Sequence, residues 1–297
     1  MSVAVSEFPV NRQLRRMLRV GARAYYCARH GLGLTPRSET ETDVRLDRFT
    51  GRERRYKPGQ FRFPFGSVSY VDGPSLRYQY QEIFIQRCYD FETVGTAPVI
   101  IDCGGNVGMS VIRFKQLYPE AKITVFEADP EIALVLSGNV ANLGLRDVIV
   151  VNAAAWDRNG QVSFKAEHAD GGRIEDAGSL QRVKAVRLAD LITGPVDMLK
   201  MDIEGAEYAV IQDLCETGRI AHVNRFVCEI HGRDKQSEQL GEVLSALTRA
   251  GLSLTFNFAR SAPDMPGNDS PTPFTSVPDG KFLLHLYAWR EAGASQW

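Results

Sequence analysis

"VIIDCGGNVGMS", residues 99–110, is the stretch on which the fold turns. An apolar run ends in Asp102, and three glycines follow within the next six residues. A short apolar run bounded by glycine reads as a buried strand, because a parallel strand covered on both faces is continuously apolar. The glycines let the turn approach another group closely, and a helix starting behind them aims its first amides the same way. In open parallel sheets, ligands sit beyond the carboxyl ends of the strands, where strand order reverses.

Outward from this stretch the pattern is regular. Strand patterns at "KITVFEADP", "VIVVNAAAW", "VDMLKMDIEG" and "RFVCEIHG" alternate with helical ones at "GMSVIRFKQLYP", "EIALVLSGNVANLG", "AEYAVIQDLCETG" and "SEQLGEVLSALTRAG". "LSLTFNF" and "KFLLHLYAW" close the chain without a helix between them, so they are expected to pair antiparallel. Shorter alternating strands are expected at "QVSFKAE" and "VKAVRLADL". The alternation predicts a doubly wound, mostly parallel, seven-stranded α/β sheet in residues 91–297. Residues 259–280 hold five of the 14 prolines and read as a candidate lid or binding loop.

Residues 1–90 read differently, as a basic helical extension and cap. The first 57 residues carry 13 Lys and Arg against 6 Asp and Glu, whereas the whole chain has a net charge of −1. Residues 11–30 have a helical period, with arginines opposite an apolar side. That helix suits packing on its own domain, or contact with an anionic membrane surface or an acidic carrier protein. Residues 35–60 read as a linker or loop, "FRFPFGSVSYVDG" as short strands or an aromatic-rich loop, and residues 77–89 as a helix. The five cysteines are scattered without metal-ligand spacing, which fits free thiols in a reducing, cytoplasmic setting. No apolar stretch has the roughly 18 residues of a membrane-spanning helix, and no signal peptide is apparent. The acidic core carries no N/D-P-P-Y/W motif, which argues against a nucleic-acid substrate.

Two ligands compete for the glycine turn. A dinucleotide needs G-x-G-x-x-G. Placed on Gly104, that pattern meets Asn106 and Met109; placed on Gly105, it meets Val107 and Ser110. A carboxylate at Asp102 is also badly placed for a pyrophosphate. S-adenosylmethionine, which carries an ammonium and no phosphate, suits it better: Asp102 accepts from the ammonium, and Gly104, Asn106 and Gly108 shape the turn. Glu127, at the tip of the second strand, is placed to accept both ribose hydroxyls. Ala128 and the small residues 153–155, Ala154 among them, leave room for a flat adenine. Trp156 either stacks on that ring or belongs to the core.

"IIDCGGNVGMS", "VFEADP", "LKMDIEGAE" and "CEIH", in this order and with "LADL" before the fourth strand, resemble the FkbM family of S-adenosylmethionine-dependent methyltransferases. Gly105 and Ala128 depart from that family's usual wording, which has alanine after the first glycine and proline after the glutamate. The resemblance implies a Rossmann-like class I methyltransferase that O-methylates a hydroxyl of a sugar, polyketide, other secondary metabolite or glycolipid. The alternatives are an NAD-dependent oxidoreductase and a non-catalytic cofactor-binding scaffold.

The catalytic candidates lie at two neighbouring strand tips. Glu229 and His231 are two residues apart and share a face. His231 is the candidate general base, and Asp202 orients the acceptor or His231. Asp202, Glu229 and His231 are also able in principle to bind a divalent cation. Glu204 sits at the tip of the fourth strand beside the expected sulfonium, or else serves the start of the next helix, and Glu207 lies inside that helix as a structural residue. Lys200, in a strand buried on both faces, needs an anionic partner, with Asp102 or Glu229 in reach. Tyr78, Gln81 and Glu82 are placed to meet the cofactor from above.

Overall fold

A computed structural model describes residues 37–50, 55–165, 173–174, 181–233, 236–257 and 281–291. The basic helix expected at 11–30, Cys27 and the proline-rich loop at 259–280 lie outside the described residues. In chain order the elements are α1 (Arg37–Thr50), β1 (Gly59–Phe63), β2 (Gly66–Tyr70) and α2 (Gly73–Tyr80), which runs into a π-helical turn (Gln81–Gln86). Then come β3 (Val99–Cys103), α3 (Met109–Leu117), β4 (Lys122–Glu127), α4 (Pro130–Asn142), β5 (Val148–Asn152), β6 (Ala154–Trp156), β7 (Gly160–Lys165), β8 (Arg173–Ile174) and β9 (Gln181–Arg187). The chain closes with α5 (Leu188–Leu191), β10 (Met198–Met201), α6 (Glu207–Glu216), β11 (Arg225–Arg233), α7 (Ser237–Arg249), β12 (Ser253–Asn257) and β13 (Lys281–Trp289).

The main sheet has seven strands in the order β12-β13-β11-β10-β3-β4-β5. β11, β10, β3, β4 and β5 run parallel, and β13 is antiparallel to both of its neighbours. From β3 the chain winds outward through β4 to β5, then returns to β10 and winds the other way. The switch in strand order therefore falls between β3 and β10, with the tips at Cys103 and Met201 side by side. One apolar layer gathers Leu214, Val243 and Leu247 beneath one face of the sheet. The other gathers Val111, Phe114 and Leu136 on the opposite face. A second sheet, β6-β9-β7-β8, flanks the first.

The N-terminal segment is built into this second layer. Phe63, Tyr80 and Phe84 stack in sequence, with ring centroids 5.3 and 5.0 Å apart, and share one core with Ile100, Val125 and Met198. The core therefore runs without a break past residue 90. Asp72 caps α2, accepting from the Ser75 amide at 3.0 Å and its hydroxyl at 2.6 Å. Docked this way, α2 and the π-helical turn bring Tyr78 and Glu82 within electrostatic reach of Asp202 and Glu229.

Three expectations need correction. Residues 37–50 form a helix, not a linker. Its inward stripe is Thr42, Leu46 and Thr50 with Asp43 alongside, all nearly inaccessible. Three of these four are polar, so hydrophobic periodicity does not reveal the helix. Second, "VIVVNAAAW" is two strands, because the chain leaves the main sheet at Ala153 and β6 pairs with β9 instead. Third, "VKAVRLADL" is a strand only to Arg187, and "LADL" makes one helical turn. The closing antiparallel pair, the two short strands at 59–70 and the helical run through 77–86 match their expectations. Cys103 and Cys228 are buried free thiols. Among the described residues, no helix is long and apolar enough to cross a membrane.

Candidate active site

The glycine turn after β3 is shaped by its protein neighbours. Gly104 adopts φ +87°, and a Cβ there would lie 1.8 Å from the carbonyl oxygen of Asp202. A side chain at Gly105 would lie 2.2 Å from Val125. The amides of Gly104 and Gly105 both donate to the Phe126 carbonyl, at 3.0 and 2.9 Å, and the Asp202 amide donates to the Cys103 carbonyl at 2.9 Å. The loops after β3, β4 and β10 are thus stitched together, and glycine is required at 104 because backbone meets backbone and at 105 because the Val125 side chain fills the space.

Glu127 fixes the next part of the turn. Its Oε2 accepts from the Asn106 amide at 2.8 Å and its Oε1 from the Asp129 amide at 2.9 Å. Burial pushes its carboxyl up to about 7, against the opposing pull of those two amides. Ala128 flanks the small cluster formed by Ala154, Phe164 and Val183. Trp156 is half-buried at the edge of the second sheet.

Asp102 does not face open space. It is fully inaccessible, with Oδ2 accepting from the Ser110 hydroxyl at 2.5 Å and Oδ1 lying 3.2 Å from Lys200 Nζ. The ammonium it meets is that of Lys200, its register partner on β10. Lys200 also donates to the Gly104 carbonyl at 2.5 Å and lies 3.9 Å from Asp202 Oδ2. Burial opposes its charge, but Asp102 and Asp202 outweigh that and hold the ammonium above its ordinary value. The pairing expected of Lys200 is therefore made with Asp102.

Titratable side chains gather where β10 ends beside β11. After Met201 the chain turns sharply, with Glu204 at φ 54° and Gly205 at φ 103°. This turn aims Asp202 and Glu204 toward His231 on β11. One potential ligand atom from each of the three lies within 4.8 Å of the others. His231 Nε2 is 3.5 Å from Glu204 Oε2, and Nδ1 is 3.1 Å from Glu207 Oε1. Glu207 itself is wholly buried and takes the amides of Ile203 and Gly205, at 3.3 and 2.8 Å.

These groups distort one another's titration. Burial lifts Asp202 to about 6 with help from the Glu229 charge, and lifts Glu204 to about 8 despite the opposing charge of His231. Burial works against the His231 imidazolium, but the hydrogen bond to Glu207 and the charge of Glu204 hold it well above the ordinary histidine value. The shift favours the charged imidazole over the free base.

Glu229 faces a different partner. It lies opposite His285 in the β11–β13 register, with His285 Nε2 3.5 Å from its Oε2. Burial raises this carboxyl, yet His285 and His231 more than compensate and leave it below the ordinary value. Glu82 comes in from the π-helical turn, hydrogen-bonded to Tyr78 and pushed up to about 7 by burial and the Glu229 charge. Gln81 turns away and donates to Asp43 at 3.1 Å. Sequence reasoning missed Glu207 and His285 as partners. The available signal for His285 was a lone histidine in the apolar strand "FLLHLYAW".

Comparison with known proteins places this architecture. The Methyltransferase FkbM domain matches residues 102–254, from the tip of β3 into β12. The chain belongs to the FkbM methyltransferase family. Within this family, the 31-O-demethyl-FK506 methyltransferase FkbM of Streptomyces tacrolimicus is 26% identical over 235 residues, covering 65% of this chain and 88% of its own. The 2-O-methyltransferase NoeI of Sinorhizobium fredii is 32% identical over 144 residues, 40% of this chain and 58% of its own. The crystal structure of a methyltransferase FkbM from Methylobacillus flagellatus is 12% identical, with a TM-score of 0.43, covering 66% of this chain and 45% of that one. In open α/β sheets ligands bind beyond the carboxyl ends of the strands at the switch point, which here falls between β3 and β10.

Proposed function

We propose that this methyltransferase moves the methyl group of S-adenosylmethionine to a hydroxyl of a small metabolite, a sugar or polyketide among them. The observation that carries this reading is the convergence of Asp202, Glu204 and His231 at the strand-order switch, beside the glycine turn and Glu127. Relatives named as 31-O-demethyl and 2-O-methyltransferases support a hydroxyl as the acceptor.

Glu127 spends one site per oxygen on a backbone amide, which leaves each oxygen a second lone pair for a ribose hydroxyl. Ala128 and Ala154 border the adenine, and Gly104, Asn106 and Gly108 form the turn beneath the amino-acid end. Asp102 acts from inside the sheet: it holds Lys200, and Lys200 holds the Gly104 carbonyl. Methyl transfer requires the acceptor oxygen in line with the S–CH3 bond, and the residues around Asp202 and His231 would hold it there, a positioning that supplies much of the rate. In the transfer the oxygen–carbon bond forms as the sulfur–carbon bond breaks, leaving neutral S-adenosylhomocysteine and one released proton. Asp202 receives that proton, while His231 and Glu229 fix the charge around the acceptor.

Calorimetric titration with S-adenosylhomocysteine and with NAD tests the cofactor. Binding of the former alone is expected, and binding of NAD alone would overturn every role given above. A hydroxylated-metabolite screen with labelled S-adenosylmethionine then identifies the acceptor.

A further inference from the structure

The geometry points to a divalent-cation site formed by Asp202, Glu204 and His231, an inference that deepens the methyl-transfer reading and rests on it. Three side chains of different type, from two strand tips, present one donor atom each within 4.8 Å. Ligands around a cation bound at about 2.1–2.4 Å sit roughly 3–4.5 Å from one another. His231 Nε2 and Glu204 Oε2, at 3.5 Å, already meet this spacing.

The imidazole is held as a metal ligand is held. A ligating histidine characteristically gives its other ring nitrogen to a carboxylate, which fixes ring and tautomer. Glu207 does this for Nδ1 at 3.1 Å, and it is itself clamped by the Ile203 and Gly205 amides. Nε2 is thereby aimed at Glu204 and Asp202. The side chains of Asp202, Glu204 and His231 are 29%, 27% and 25% exposed, whereas that of Glu207 is fully covered. The set is closed from behind and open in front, so coordination positions remain for water or the acceptor oxygen.

The sequence-level set was Asp202, Glu229 and His231. The structure exchanges one member, because Glu229 is committed to His285 at 3.5 Å. Two carboxylates and one imidazole favour manganese, magnesium or another borderline-hard divalent ion over a thiophilic one. Bound there, the cation would take the place of the proton on His231 Nε2, and it would polarise the acceptor oxygen and ease loss of its proton.

The test uses the full chain treated with chelator, with Mn2+ as probe and free Mn2+ followed by electron paramagnetic resonance. One tight site per chain is expected. Glu204→Gln and His231→Asn should each weaken it tenfold or more, and Glu229→Gln should change it by less than threefold. S-adenosylhomocysteine binding, measured without metal on each variant, reports whether the fold survives. Absence of a stoichiometric Mn2+ site in the wild type, or wild-type Mn2+ affinity in a folded Glu204→Gln variant, overturns the inference. S-adenosylhomocysteine binding without Mn2+ binding would remove the cation and leave the methyltransferase reading intact. Mn2+ binding without S-adenosylhomocysteine binding would remove the cofactor reading and leave the cation site.

Discussion

Replacing Lys200 with methionine isolates the contact that joins core to site. Lys200 and Asp102 sit opposite each other on adjacent central strands, 3.2 Å apart, and their side chains are 3% and 0% exposed. Methionine fills a similar volume, so cavity formation contributes little. The loss comes from Asp102, left buried without a counter-charge, and such broken pairs cost about 3–5 kcal/mol. For a chain of this size that corresponds to a melting temperature lower by roughly 6–20 °C. Adding Asp102→Asn removes the stranded charge and should restore most of the stability. About 1–2 kcal/mol should stay missing, because the Gly104 carbonyl has lost a charged donor at 2.5 Å. Urea unfolding followed by tryptophan fluorescence measures all three proteins, and calorimetry with S-adenosylhomocysteine shows whether the glycine turn still functions. A single variant within about 1 kcal/mol of wild type, or a double variant no better than the single, would refute the paired-charge account.

Two further outcomes follow from the same geometry. Glu127 has its carboxyl pushed up to about 7 and must be ionised to accept ribose hydroxyls. S-adenosylhomocysteine affinity should therefore fall about tenfold per pH unit below that value, and Glu127→Gln should flatten the profile. The folding linkage has the opposite sense: a raised carboxyl favours the folded state below its ordinary value of 4.5, and that contribution is lost as pH rises through about 7. A pH-independent wild-type affinity between pH 5 and 8 would contradict the ribose assignment. Gly104→Ala combines a positive φ with a methyl 1.8 Å from the Asp202 carbonyl. It should cost roughly 2–5 kcal/mol by denaturant titration, against about 1–2 kcal/mol for Gly144→Ala, which has a positive φ in open space.

How far this site is legible in the sequence depends on where each residue's demand is met. Asp102, Glu127, Asp202, Glu229 and His231 lie at the ends of apolar strands, and parallel topology brings strand ends together, so their convergence follows from pattern alone. Lys200 is legible as a residue requiring an anion, because a lone ammonium cannot stay in a two-sided strand. The suppliers are harder to read. His285 reaches Glu229 only through the β11–β13 register, and one step of slippage would put it on the other face. Gly104 announces that something comes close, and local reasoning names a ligand; the neighbour is the carbonyl of Asp202, almost 100 residues onward. Helix α1 is the sharpest case, since its buried Asp43 is satisfied by Gln81 and Arg77 from α2 and the turn behind it. A polar residue that reads as solvent-facing is internal once its partner arrives from elsewhere in the chain. The same logic bears on His231, which in isolation titrates near neutrality, whereas Glu204 and Glu207 beside it favour the charged imidazole. Its titration is set by two carboxylates, Glu204 from the turn after β10 and Glu207 from the helix that follows.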